Sequence, residues 1–325
     1  MRALIHPTFG EPEQVLRIED RPVPEPGAGQ VRLRVVLSPI HNHDLWTVRG
    51  TYGFTPDLPA PAGTEALGVV DALGAGVEHL TVGQRVATGG TFGAWAEYIV
   101  TNAAGLVPVP DAIPDETAAQ LVSMPFSTIT LLDFLDVKEG DWIVQNAANG
   151  AVGRMLAQLG AARGVNVLGL VRRTAGVEEL REQGIDAVVA TDQADWEDQV
   201  AALTGGAPIV AGVDSVGGAS AGQVLSLLAE NGTLVAFGAM NSPIMEIASS
   251  DVIFKQATVK GFWGSKVIPR LDATTRTALF GELFQRLSDG TLTLPVAAVF
   301  DAGDISAAVQ ASNTPGRVGK VLLRF

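Results

Sequence analysis

The sequence predicts an α/β protein of two domains, one a doubly wound parallel sheet and the other rich in β-strands. Three observations carry this. The chain has 325 residues, and roughly 150 residues per domain implies two domains. Residues 123–264 alternate apolar strand-like runs with amphipathic segments, the order of a parallel sheet covered on both faces. Residues 1–122 hold only short strand-like runs broken by Pro and Gly, as in a β-barrel or sandwich. The pattern of residues 265–325 reverts, which leaves a return of this tail to the first domain open.

In chain order, Val31–Leu37 alternates with period two, as a half-buried strand does. Leu67–Leu73, Gln84–Ala87 and Ala94–Val100 are predicted as further strands. A predicted helix, Thr128–Asp136, stops at the turn Lys138-Glu139-Gly140-Asp141. Predicted strands follow at Trp142–Gln145, Val165–Val171, Ala187–Ala190, Ile209–Asp214, Thr233–Phe237 and Thr258–Phe262. Predicted helices lie between and after them, at Ala151–Arg163, Gly176–Gln183, Trp196–Leu203, Ala219–Ala229 and Asp251–Lys255. Gly164 and Gly184 stand where helix C-caps are expected. Six such strands fit a doubly wound nucleotide-binding fold. The tail reads as helix Leu279–Leu287, strand Pro295–Phe300, helix Asp304–Ser312 and strand Gly319–Phe325.

Composition narrows the function. Apolar residues make up 47% and charged residues 18%, enough to bury a large core and unlike a disordered chain. Lys plus Arg number 22 against 35 Asp plus Glu, a net charge of −13. Such a surface repels phosphate backbones, so neither nucleic acid nor an anionic membrane is expected as a partner. The absence of cysteine excludes disulfides, iron–sulfur clusters, thiolate zinc sites and cysteine nucleophiles. The opening Met1-Arg2-Ala3-Leu4-Ile5-His6-Pro7 leads into no signal-like apolar core, and no run reaches the roughly 18 apolar residues of a membrane span. A cytoplasmic protein acting on a small molecule is expected.

Asn146-Ala147-Ala148-Asn149-Gly150-Ala151-Val152-Gly153 follows a predicted strand and opens a predicted helix. Ala148, Gly150 and Gly153 form an A-x-G-x-x-G dinucleotide fingerprint. Small residues let the backbone approach a pyrophosphate, and the helix start offers free N–H groups and positive dipole. The second predicted strand ends in Leu170-Val171-Arg172-Arg173-Thr174. No carboxylate stands there to hold a ribose 2′-hydroxyl. Arginine instead pairs with a 2′-phosphate, so the expected cofactor is NADPH. The ordinary reading of Arg172 and Arg173 is a solvated surface pair.

With these residues in place, the chain resembles the medium-chain dehydrogenases/reductases over essentially its whole length. Gly63-Thr64-Glu65-Ala66-Leu67-Gly68-Val69-Val70, Val82–Val86 and Gly93–Tyr98 add to the resemblance. It implies a GroES-like catalytic domain (1–122 plus 265–325) and a Rossmann NADPH-binding domain (123–264). Within the superfamily the sequence is most similar to the zinc-free mitochondrial-type 2-enoyl thioester reductases and quinone oxidoreductases. The enoyl reductase segments are Gln145–Asn149, Gly261-Phe262-Trp263 and Arg49-Gly50-Thr51-Tyr52-Gly53. The resemblance implies Tyr52 as catalytic residue. It places Ser123, Asn149, Gly150, Ala151, Val152, Phe237, Gly238, Ala239, Met240, Phe262, Trp263, Gly264 and Lys320 around the cofactor, beside Arg172, Arg173 and Thr174. It also implies a homodimer. Trp263 reads equally well as core packing, and Tyr52 as an ordinary loop aromatic.

The resemblance to the zinc alcohol dehydrogenases is poorer. Their His-Glu pair reads Thr64-Glu65 here, and His41 stands near the place of their first cysteine, so no metal is expected. The enoyl reductases usually carry I-N-P-S-D before the tyrosine segment, where this chain has Ile40-His41-Asn42-His43-Asp44. These histidines read as a substrate contact, a proton relay, an unusual metal site with Glu65, or a satisfied loop pair anchored by Asp44. The expected reaction is hydride transfer to the β-carbon of an α,β-unsaturated thioester, with Tyr52 stabilising the enolate or donating the proton. Quinone or enal/enone reduction, a zinc-type alcohol dehydrogenase of the same fold, and a catalytically silent nucleotide-binding protein are the alternatives. Arg49, Lys266 and Arg270 are candidates to meet an acyl carrier.

Overall fold

The computed structural model describes all 325 residues, in two compact units: residues 1–124 with 294–325, and residues 125–293. In the first unit the strand Gln30–Pro39 is the hub of a seven-stranded sheet. Its inward residues Val31, Leu33, Val35 and Leu37 are buried on alternate positions, as period two requires. It pairs antiparallel with Glu65–Leu73, Tyr98–Asn102 and the C-terminal Lys320–Arg324. The tail therefore returns to the first unit through Lys320–Arg324, with Val296–Asp301 parallel to it. A three-stranded sheet of Arg2–His6, Arg17–Asp20 and Ala60–Pro61 completes the unit.

The second unit holds six parallel strands in the order Val188–Ala190, Asn166–Val171, Trp142–Gln145, Ile209–Asp214, Thr233–Ala236, Thr258–Gly261. Numbered along the chain this is 3-2-1-4-5-6, the doubly wound Rossmann order. Val144, Leu168, Leu170, Val189, Val213 and Leu234 are buried. Several of them pack with Val200, Val224 and Leu225 of the covering helices Trp196–Thr204 and Ala219–Leu227. Burying each such side chain stabilises the fold by about 1.5–3 kcal/mol. No helix is long and apolar enough to cross a membrane.

Three sequence expectations need correction. The boundary at 264/265 is misplaced, because residues 265–293 belong to the second unit. The helix Ala273–Ser288 docks there through buried Leu279 and Leu283, a Phe126–Phe280 stack at 4.0 Å, and a two-point Arg163–Glu282 ion pair at 2.8 and 3.1 Å. Ala94–Val100 is not one strand. Trp95 N–H bonds to Ala62 while its carbonyl accepts from Leu4, and only Tyr98–Asn102 forms a ladder. The segment around His41 and His43 is not a loop but the start of the helix Asn42–Arg49.

Candidate active site

In the second unit the strand order reverses between Trp142–Gln145 and Ile209–Asp214. In such sheets the ligand crevice opens outside the carboxyl ends beside that reversal. Asn146 and Asp214 stand at those two ends. Asp214 is buried and accepts from Asn146 Nδ2 at 2.6 Å and from the Val216 and Gly217 N–H groups at 3.0 Å. Asn146 Oδ1 in turn accepts from Ser215 N–H at 2.7 Å. These bonds fix both chain exits.

The fingerprint turn leaves from the same edge. Ala147 has a left-handed backbone, φ 49°, a strain of about 1–3 kcal/mol that the surrounding structure imposes. Gly150 caps the helix Ala151–Ala162. A Cβ on Gly153 would lie 2.6 Å from Ala148 O and 2.7 Å from Ala147 O, so only glycine lets the helix start sit this close to the turn. Gln145 Nε2 donates to Gly153 O at 2.7 Å and ties the turn to the sheet. Gly150 and Ala151 are exposed, Asn149 and Val152 half-buried.

Because all six strands are parallel, the predicted cofactor residues of this unit gather at one sheet edge. Arg172, Arg173 and Thr174 follow Asn166–Val171, Phe237–Met240 follow Thr233–Ala236, and Phe262–Gly264 follow Thr258–Gly261. Both arginines are exposed and make no ion pair within the chain. Phe262 is buried between Phe134 and Phe237, with centroids 5.3 and 5.7 Å away, so its side chain is packing. Trp263 is 37% exposed and is not core.

Ser123 and Lys320 fall in the first unit, in a buried polar cluster. Gly63, φ +84°, opens it. A Cβ there would come within 2.2 Å of the fully buried Trp95, so the turn into Thr64 and Glu65 is open to glycine alone. Glu65 Oε1 accepts the Val122 and Ser123 N–H groups at 2.6 and 2.7 Å, and Oε2 meets His41 Nε2 at 2.6 Å. Burial outweighs those donors and pushes the Glu65 carboxyl up to about 7. Burial also holds His41 well below the usual imidazole range, with Lys320 adding to the effect. Lys320 is lowered to about 8, first by burial and then by Arg317. All three groups are driven toward their neutral forms.

His43 and Tyr52 lie at the margin of this cluster. His43 Nε2 meets Thr64 Oγ1 at 2.7 Å, and Thr64 donates to Asp44 Oδ1 at 2.7 Å. The Tyr52 ring is half-buried with its centroid 5.8 Å from that of His43. Tyr98, the other tyrosine, is half-buried in a strand beneath Arg32. Of the proposed carrier contacts, Arg49 pairs with Glu11 at 3.1 Å, Lys266 lies over Trp263, and Arg270 is exposed. Sequence reasoning gave Asp44 as the anchor of the two histidines without its bond to Thr64, and passed over Asp214 at the sheet reversal. The local signal for that anchor is its place three residues after His41.

The sequence family "Zinc-binding dehydrogenase" matches residues 151–279, and "Alcohol dehydrogenase GroES-like domain" matches residues 27–111. The mitochondrial enoyl-[acyl-carrier-protein] reductase of Xenopus tropicalis is 30% identical over 97% of this chain and 92% of its own length. The chain belongs to the medium-chain dehydrogenase/reductase superfamily. As a member it is an oxidoreductase. A putative NADPH:quinone reductase of Bacillus thuringiensis superposes with a TM-score of 0.92 at 28% identity, over 100% of this chain and 98% of its own. A mycobacterial protein solved with NADPH gives 0.88 at 28% identity over the whole of both chains. One superfamily feature does not fit. His41 Nε2 is bonded to Glu65, Thr64 offers a hydroxyl where the zinc enzymes carry histidine, and no three His, Asp or Glu side chains converge to hold a metal ion. This medium-chain reductase has no donor set for zinc.

Proposed function

We propose that the chain is an NADPH-dependent reductase of an activated carbon–carbon double bond, with a 2-enoyl thioester as substrate and Tyr52 as the acid. The observation that carries this is the Tyr52 phenol held beside the His43 imidazole, in a unit whose donor set does not suit a metal. The Gly150–Gly153 turn fits a pyrophosphate, and the exposed Arg172 and Arg173 fit a 2′-phosphate. The similarity to a solved NADPH complex agrees with both. The bound nicotinamide supplies a hydride to the β-carbon. Negative charge then gathers on the carbonyl oxygen, and a preplaced donor at that oxygen or the α-carbon is the chain's part of the reaction. Tyr52 takes that part.

The thioester rests on the similarity to an enoyl-[acyl-carrier-protein] reductase. A second reading, reduction of a quinone or enal, is favoured by the likeness to a putative quinone reductase. NADPH oxidation measured with crotonyl-CoA, a 2-enal and a quinone separates them. Tyr52→Phe should lower kcat on the preferred enoyl substrate at least tenfold, within the roughly 10²–10⁴ that acid catalysis contributes, with NADPH binding retained. An unchanged kcat would remove Tyr52 from the mechanism.

A homodimer belongs to the same reading. Thr258–Gly261 is an edge strand; its Val259 is 39% exposed, and Ile253 and Phe254 of the preceding helix are 57% and 80% exposed. An apolar edge of this kind invites a second copy. Light scattering should give twice the chain mass, and Phe254→Glu should halve it; a monomeric parent would refute the dimer.

A further inference from the structure

We propose that His43 is a proton-relay residue that returns a proton to Tyr52 after each turnover, held for that task by Thr64 and Asp44. This rests on the reading of Tyr52 as the acid. Asp44 is fixed first. It lies in the first turn of the helix Asn42–Arg49, is 2% exposed, and its Oδ2 accepts the His41 N–H at 3.0 Å. Its Oδ1 then takes the Thr64 hydroxyl proton at 2.7 Å. With that proton committed, Thr64 Oγ1 can only accept from His43 Nε2 at 2.7 Å. Thr64 cannot shift, because its carbonyl accepts from Thr91 N–H and Gly63 before it is wedged against Trp95.

The consequence is a fixed tautomer. Nε2 carries a proton whether the ring is neutral or cationic, so proton exchange is confined to Nδ1. Gly50 ends the helix in a left-handed conformation and lets the chain turn back, which places Tyr52 beside this ring. The His43 side chain is 20% exposed and can exchange with water, whereas those of Asp44, His41 and Glu65 have no exposed surface. His41 does not share the role, because its Nε2 is engaged by Glu65 and its Nδ1 is buried without a partner.

The steps balance. The Tyr52 O–H bond breaks as the α-carbon–hydrogen bond forms, leaving a phenolate. The Nδ1–H of the His43 imidazolium protonates the phenolate, and neutral His43 takes a proton from water. The other ionisable groups of the cluster are Asp44 at 3.5 Å, His41 stacked at 4.9 Å, Glu65 and Lys320.

The test is NADPH oxidation with crotonyl-CoA by the full chain, as a function of pH, for the parent, His43→Gln, His43→Ala and Tyr52→Phe. NADPH fluorescence titration checks that each variant still binds cofactor. We expect kcat to fall at least tenfold in both His43 variants, with the NADPH Kd unchanged. The parent's kcat should decline as pH rises, and His43→Gln should lose that decline. Added imidazole should restore His43→Ala but not Tyr52→Phe. Parental kcat and pH profile in His43→Gln would overturn the relay while leaving the reaction intact. A loss in His43→Ala that imidazole does not repair, with the parental pH profile kept in His43→Gln, would make His43 a packing residue and also overturn it. If the parent oxidises no NADPH with crotonyl-CoA, an enal or a quinone, the reading of the reaction fails and the relay falls with it.

Discussion

The carboxyl edge of the parallel sheet and the buried cluster of the first unit handle polar groups in opposite ways. At the sheet edge, Gly150, Ala151, Arg172 and Arg173 face solvent, and the two guanidinium groups spend nothing on the chain's own carboxylates. In the cluster, His41 and Glu65 have no exposed surface, and Lys320 is nearly as buried. Burial pushes all three toward their neutral forms, and Glu65 makes its hydrogen bonds to His41 and to the Val122 and Ser123 N–H groups. The edge leaves its polar groups open, whereas the cluster uses most of its own internally, with His43 and Tyr52 at its margin. Substitution at the edge should therefore change cofactor affinity and leave stability alone, and substitution inside the cluster should change stability with pH.

The larger effect belongs to the edge. Replacing Arg172 and Arg173 together by Ala removes charge-assisted hydrogen bonds of about 1.5–3 kcal/mol each. The NADPH KM should rise roughly 100-fold, the NADH KM should barely move, and the melting temperature should stay near the parent's, since surface changes usually fall within about 0.5 kcal/mol. Equal small effects on the two cofactors would break the comparison at this end.

The smaller effect belongs to the cluster. Gln at position 65 keeps an acceptor for the Val122 and Ser123 N–H groups and can donate to His41, but it does not titrate. The Glu65 carboxyl is raised from 4.5 to about 7, so across that interval the folded protein keeps a proton that the unfolded chain has released. Its stabilising contribution is full below about 4.5 and is lost as pH rises through about 7. The melting temperature of the parent minus that of Glu65→Gln should be greatest in acid and decline by a few degrees through neutrality. A difference flat with pH would show that Glu65 ionises as freely in the fold as in the open chain. Lys320, lowered from 10.5 to about 8, acts in the other direction: its contribution is present above 10.5 and lost as pH falls through 8.

Much of the second unit was legible along the chain. The six strands lie within a residue or so of their predicted positions, and Gly164 and Gly184 take the positive φ expected of helix C-caps. The helix Asn42–Arg49 was not legible. His, Asn and Asp are poor helix formers, and its apolar stripe is too short to show a period. The strands Arg2–His6 and Arg17–Asp20 were missed for a related reason, since each is four or five residues long and pairs across a gap. The helix Ala273–Ser288 was assigned to the wrong unit because its few buried residues do not announce which core they enter.

By itself the sequence determined the parallel sheet, the glycine turn and the arginines after the second strand, because each depends on neighbours within a few residues: a strand's period, a Cβ clash at Gly153, a charge at a strand end. Only the tertiary structure decided that Glu65 would face His41, that Lys320 from the far end of the chain would join them, and that Thr64 would hold His43 by its Nε2. The physical reason is that burial and hydrogen-bond direction are properties of a three-dimensional neighbourhood, and 24 residues separate His41 from Glu65 while the chain between them remains free to run elsewhere.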